Sequence, residues 1–179
     1  MEKILFQEEQ KFTQSWITLI VYGILALNLS VFGYGFVRQI LMEKNWGNMP
    51  MSDTALVLTC ILALGISAGL LLLFHNAKLI TTIHQNGIRV KFPPFFNKEK
   101  FFPKETINYI EVRQYNPILE YGGWGVRMGM RKGKAYNVKG NLGIQLKLTD
   151  NKKILIGTQK KDQAEWAIRK LMDPGLEQL

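Results

Sequence analysis

Residues 16–37, WITLIVYGILALNLSVFGYGFV, carry no charge, and neither do residues 55–74, ALVLTCILALGISAGLLLLF. The runs are 22 and 20 residues long. At about 1.5 Å rise per residue, a helix of either length reaches across a hydrocarbon core of about 30 Å. Helices buried in a soluble bundle keep a polar stripe, and these two have none. The reading is a transmembrane hairpin: an N-terminal arm (1–15), a first span (16–37), a short extracytoplasmic loop (38–54) and a second span (55–74). The first run is too long for a signal-peptide core and no small-x-small cleavage site follows it, so it reads as a retained anchor.

Charge sets the orientation. The loop 38–54 holds only two basic residues, Arg38 and Lys44, whereas 19 of the 23 lysines and arginines follow the second span. The positive-inside bias places both termini in the cytoplasm. Trp16 and Trp46 stand near span ends, where indoles favour the interface. The mean hydropathy of −0.02 averages an oily, nearly neutral region with a polar, basic one. Such a division argues against a single soluble globule.

Inside the spans, Asn28 needs a hydrogen-bond partner, on the second helix or on another subunit. Gly65 and Gly69 form a small-xxx-small spacing, which reads as packing within the hairpin or as a dimer face. Neither span holds an ionisable residue, which argues against an ion path through this chain alone. With Cys60 as the only cysteine, no internal disulfide or cysteine zinc cage forms.

Residues 78–173 read as one cytoplasmic domain of short strands closed by a helix. Leu79 to His84 is rich in β-branched residues, and the Asn86-Gly87 turn follows. Ile88, Val90 and Phe92 alternate with Arg89 and Lys91, the period of a half-buried strand. Phe95-Phe96 and Phe101-Phe102 flank a polar segment and predict a hairpin. Residues 103–106 predict one helical turn and 107–114 a strand. Ile144, Leu146 and Leu148 alternate before an Asp150-Asn151 turn, and 154–157 return. A helix over 161–172 puts Ala164, Ala167, Ile168 and Leu171 on one face.

Several segments together resemble bacterial pleckstrin-homology-like (PH-like) domains. They are the Gln-Asn-Gly-Ile turn (85–88), Phe-Pro-Lys-Glu-Thr-Ile (102–107), Gly-Ile-Gln-Leu-Lys-Leu (143–148) and Lys-Lys-Ile-Leu-Ile-Gly-Thr (152–158). Further segments, Phe-Gln-Glu-Glu-Gln-Lys-Phe (6–12), Tyr-Gly-Gly-Trp-Gly (121–125) and Gly-Lys-Ala-Tyr-Asn-Val (133–138), resemble a family of uncharacterised bacterial membrane proteins with two N-terminal spans. The resemblance covers nearly the whole chain. It implies an α+β membrane protein of the bacterial cytoplasmic membrane, with a transmembrane hairpin followed by a PH-like antiparallel β-barrel or sandwich closed by a C-terminal helix. It implies no activity, cofactor or site residue.

The residues offer little for catalysis. His75 and His84 lack a third ligand at metal spacing. Gly133-Lys134 has Met128 where a phosphate loop needs a glycine, and Gly123-Trp124-Gly125 is no dinucleotide fingerprint. Neither a catalytic residue, a metal nor a cofactor is expected. Charge is the stronger signal: between Tyr121 and Lys161 lie ten basic residues and one acid, Asp150. Arg127, Arg131, Lys132, Lys134 and Lys139, with Trp124 and Tyr136, form a candidate surface for anionic lipid headgroups or an acidic protein partner. The plainer reading is a solvated face that only orients the domain. The expected partners are membrane lipids, with another membrane protein or a second copy of the chain as alternatives. Nucleic acid is disfavoured, because no aromatic-basic platform accompanies the charge. A different possibility is an accessory subunit of a transporter or envelope complex, recognised through Asn28 and the Gly65/Gly69 face.

Overall fold

The computed structural model describes residues 3–12, 15–130 and 132–173. The chain divides into two compact units, Thr13–His75 and Met1–Phe12 joined with Asn76–Leu179.

The first unit holds two helices, α1 (Ser15–Phe36) and α2 (Asp53–Asn76). A π-helical turn, Val37–Leu41, extends α1. Both helices are long and apolar enough to cross a membrane by length and composition. Only 6% and 11% of their apolar windows are buried. A soluble core helix would bury most of that surface. At the connecting loop, Gln39 Nε2 donates to Met51 O and Asp53 Oδ1, both at 2.7 Å. Trp46 packs edge-on against Phe32, with ring centroids 6.4 Å apart.

The second unit contains nine strands, two helices and a single 3₁₀ turn among its described residues. Its first sheet runs β1 (Ile4–Lys11), β2 (Lys78–His84), β3 (Gly87–Phe92) and β4 (Phe96–Pro103), all antiparallel and in that order. The N-terminal arm is therefore a strand of the domain that follows the helices. The β1–β2 register ends at the pair Lys11↔Lys78. Phe6, Glu8 and Gln10 alternate inward from β1.

A 3₁₀ turn, Lys104–Thr106, leads to the second sheet. Its strands are β5 (Ile107–Gln114), β6 (Gly125–Gly129), β7 (Gly133–Asn137), β8 (Leu142–Leu148) and β9 (Lys153–Gly157), in the order β5-β8-β9-β7-β6. The β7–β9 pair is parallel and the others antiparallel. A short helix, α3 (Pro117–Tyr121), follows β5, and α4 (Lys161–Met172) ends the described chain.

This corrects the expected closed antiparallel barrel or sandwich. Both sheets are open, each with two edge strands, and one pair is parallel. The physical reason is the β6–β7 hairpin. It joins the sheet beyond β9 rather than beside β5, and side-chain alternation carries no information on strand order. The expected hairpin around residues 97–100 is likewise one continuous strand, β4. The strand at 107–114 and the helix at 161–172 stand where the sequence placed them, and the turn expected over 103–106 begins one residue later, at Lys104, because Pro103 still belongs to β4.

The inner faces of the two sheets meet in one core. Leu79, Ile83, Ile88 and Phe92 come from the first sheet, and Ile144, Leu146 and Ile156 from the second. Each fully buried aliphatic or aromatic side chain contributes roughly 1.5–3 kcal/mol. Ala164, Ala167, Ile168 and Leu171 of α4 bury into the same core, beside the edge strands β1 and β5. The opposite edges, β4 and β6, have no such helix between them among the described residues.

Candidate functional site

A cleft of about 980 Å³ opens along those opposite edges, lined by β4, the β6–β7 hairpin and the β8–β9 turn. Val126 pairs with Tyr136 and Met128 with Lys134 across the hairpin, so all four lie on the inner face. Tyr136 is 2% exposed, yet Val126 is 41% and Met128 71% exposed. Apolar residues on a core-facing side of a strand are thus left uncovered.

Four lysines line the cleft, Lys100, Lys134, Lys152 and Lys153, against one acid, Asp150. Two of the four are committed. Lys100 Nζ donates to Tyr136 Oη at 2.9 Å and sits 4.2 Å from the Phe96 ring centroid. Lys152 Nζ lies 2.6 Å from Asp150 Oδ2, and this contact holds the Asp150 carboxyl below its ordinary value. The Lys134 side chain is exposed and makes no ion pair or hydrogen bond among the described residues.

Behind the cleft, the outer face of the second sheet is closed by α3. Asn116 caps this helix, its Oδ1 accepting from the amides of Ile118 and Leu119. Glu120 is gripped by Arg113, Nη2 to Oε2 at 2.8 Å, and this hydrogen bond is the main reason its carboxyl is lowered. Tyr115, Tyr121, Ala135 and Leu155 form a small second core there. Asn137 Nδ2 donates to Tyr115 Oη at 2.9 Å, and Asn137 Oδ1 accepts from the Gly125 amide at 2.9 Å. Burial pushes the Tyr115 phenol up to about 12 from 10.0, against the lowering effect of Asn137. Because the folded value is raised, stability is fully present below pH 10.0 and is lost as pH rises through about 12. Tyr109 and Tyr121 are also raised, but alkaline titration is expected to show a last-ionising tyrosine whose signal coincides with loss of structure and is absent in Tyr115→Phe.

The residues expected to form one basic surface are dispersed. Lys134 reaches the cleft. Arg127 lies on the other side of β6, its Nε donating to Trp124 O at 2.8 Å. Lys132 sits 3.9 Å from Glu120. Trp124 Nε1 donates to Gly140 O at 3.0 Å, and Gln159 Nε2 to Lys139 O at 2.8 Å, so Trp124 and Lys139 belong to a pinned loop. Tyr136 is in the core instead of at a surface. Arg131 and the Trp16 side chain lie outside the described residues. Lys100, Met128 and Lys152 line the cleft but were not among the residues expected to form the surface; the alternation of Val126 and Met128 about Arg127 was the available signal.

In the helical unit, Asn28 Nδ2 donates to Ile24 O at 2.9 Å and reaches Ser67 Oγ at 3.4 Å. The amide is thus satisfied within the hairpin. Asn28→Leu is expected to destabilise the hairpin by about 1 kcal/mol, read by unfolding of the detergent-solubilised protein. Among the described residues, nothing lies within 4 Å of where a Cβ would stand on Gly65 or Gly69.

Among the described residues, no group of three or more His, Cys, Asp or Glu side chains is placed to hold a metal ion. Compared with known proteins, the chain matches no family model and no curated protein.

Proposed function

We propose that this chain is a membrane-anchored binding module without catalytic activity, held at the cytoplasmic leaflet, whose cleft takes an anionic and partly apolar ligand. Support for the anchor comes from the sheet itself. β1 precedes the two apolar helices and β2 follows them, yet they pair. If the helices cross a membrane, they must cross it an even number of times, so that both termini share a side. The excess of basic residues after α2 favours the cytoplasmic side. The resemblance to membrane-tethered PH-like proteins agrees with this layout and adds no ligand.

The observation that carries the binding reading is the uncovered inner face of β6–β7, where Met128 and the unpaired Lys134 stand together. A ligand with an anionic group and an apolar portion satisfies both. The test uses the full chain in neutral detergent with short-chain phosphatidylglycerol and polyglutamate as anionic probes, and short-chain phosphatidylcholine as the neutral one. Binding of an anionic probe that weakens with salt, and is lost in Lys134→Glu/Lys152→Glu, is the expected result. Equal binding of neutral and anionic probes, or no effect of the variant, refutes it. A second reading, recognition by another membrane protein through the helices, is favoured by the open Gly65–Gly69 strip.

A further inference from the structure

Resting on the cleft reading, we propose that its ligand is an extended acidic segment of another protein, which adds to the second sheet as a strand alongside β6. Three observations converge on β6. It ends the sheet, with β7 as its one neighbour. No backbone hydrogen bond joins its outer edge to any other segment among the described residues. Its inner face presents Val126 and Met128 at the spacing by which a pleated neighbour sets alternate side chains into a groove.

The edge is also held firm. Glu120 O packs against Gly129, and Tyr121 Oη donates to Lys132 O at 3.3 Å, so α3 backs the hairpin from the outer side. A strand added here places alternate side chains over Val126 and Met128, toward β4. Charge then selects the occupant. Lys134 stands on the inner face and Arg127 on the outer face of the hairpin, both exposed. A segment that alternates apolar and acidic residues sets its apolar side chains over Val126 and Met128 on the inner face and its acidic ones beside Arg127 on the outer face. A headgroup phosphate fits less well, because Lys100 is engaged with Tyr136 and Lys152 with Asp150. Lys134 and Lys153 remain, but Lys134 pairs with Ile154, so alternation sends the two lysine side chains to opposite faces and they do not converge on a compact anion, whereas an unpaired strand edge supplies main-chain donors and acceptors in a row.

The experiment uses the full chain in neutral detergent and a short peptide alternating valine and glutamate. Its control is the same peptide with alternate amides N-methylated, which keeps the charge and removes strand pairing. The expected result is slowed amide exchange across residues 125–129 and binding about tenfold tighter than the methylated control, the equivalent of one or two hydrogen bonds. Equal binding of the two peptides, or unchanged exchange in β6, overturns the strand while leaving an anionic cleft. Protection of the cleft by short-chain phosphatidylglycerol but not by the peptide replaces the strand with a headgroup and also overturns it. Failure of every anionic probe removes the cleft reading as well.

Discussion

Replacing Glu8 by alanine is expected to destabilise the strand-rich unit by about 3 kcal/mol. Glu8 is 4% exposed and points inward from β1. Its Oε2 accepts from Thr158 Oγ1 at 2.7 Å and its Oε1 from the Gln159 amide at 2.9 Å. Thr158 Oγ1 in turn accepts from the Lys160 amide at 3.1 Å, at the start of α4. The N-terminal arm is thereby bonded to a segment 150 residues away. Alanine would leave a buried hydroxyl and a backbone N–H without the carboxylate. Hydrogen bonds to a charged group are each worth roughly 1.5–3 kcal/mol, and orphaned buried donors add a penalty. Glu8→Gln keeps the shape and one acceptor, so its loss is expected to be smaller. Denaturant unfolding of the full chain, read at Trp166 on α4, checks the order. Unchanged stability of Glu8→Ala would contradict the network.

Gly133→Ala is expected to cost a similar amount and, in addition, to empty the cleft of ligand. Gly133 begins β7 with φ at +82°, a conformation that strains any residue with a Cβ. The added methyl would also overlap the Lys153 carbonyl group. Left-handed strain of about 1–2 kcal/mol and overpacking of about 1–3 kcal/mol act together. The parallel β7–β9 pairing is only three residue pairs long, Lys134↔Ile154 to Tyr136↔Ile156. A shift at its first position displaces Lys134 and the hairpin that carries Met128. Amide exchange should rise across β6 and β7 and stay low in β5 and β8, while binding of the anionic probes is lost. Normal binding by Gly133→Ala would show that this hairpin is not the site.

How much of this was legible in the sequence varies with the physics behind each element. The two apolar helices are located by the length of their uncharged runs, and α4 by its apolar face. β1 does not. Its residues ILFQEEQK include four of Gln and Glu, weak strand formers, and its partner follows two helices later. β6 and β7, GVRMG and GKAYN, are too rich in glycine and charge to signal strands, although pairing makes them so. α3 had a sequence signal, Asn116-Pro117 ahead of Glu120 with Gly122 behind, which matches a capped helix with proline at its first position. The expected basic residues are divided among faces for a different reason. Strand alternation sends Arg127 and Lys134 to opposite faces and buries Tyr136, and a charge count along the chain does not see faces. The cleft was invisible because it depends on strand order.

The most direct test of the account is thiol labelling of intact cells with a membrane-impermeant reagent, in a Cys60→Ala background. Glu9→Cys reports on β1, Asn48→Cys on the loop between the helices and Lys161→Cys on α4. The account predicts labelling of Asn48→Cys in intact cells, with Glu9→Cys and Lys161→Cys labelled only after permeabilisation. Labelling of Glu9→Cys and Lys161→Cys from opposite sides, or recovery of the native chain in the soluble fraction, would contradict it.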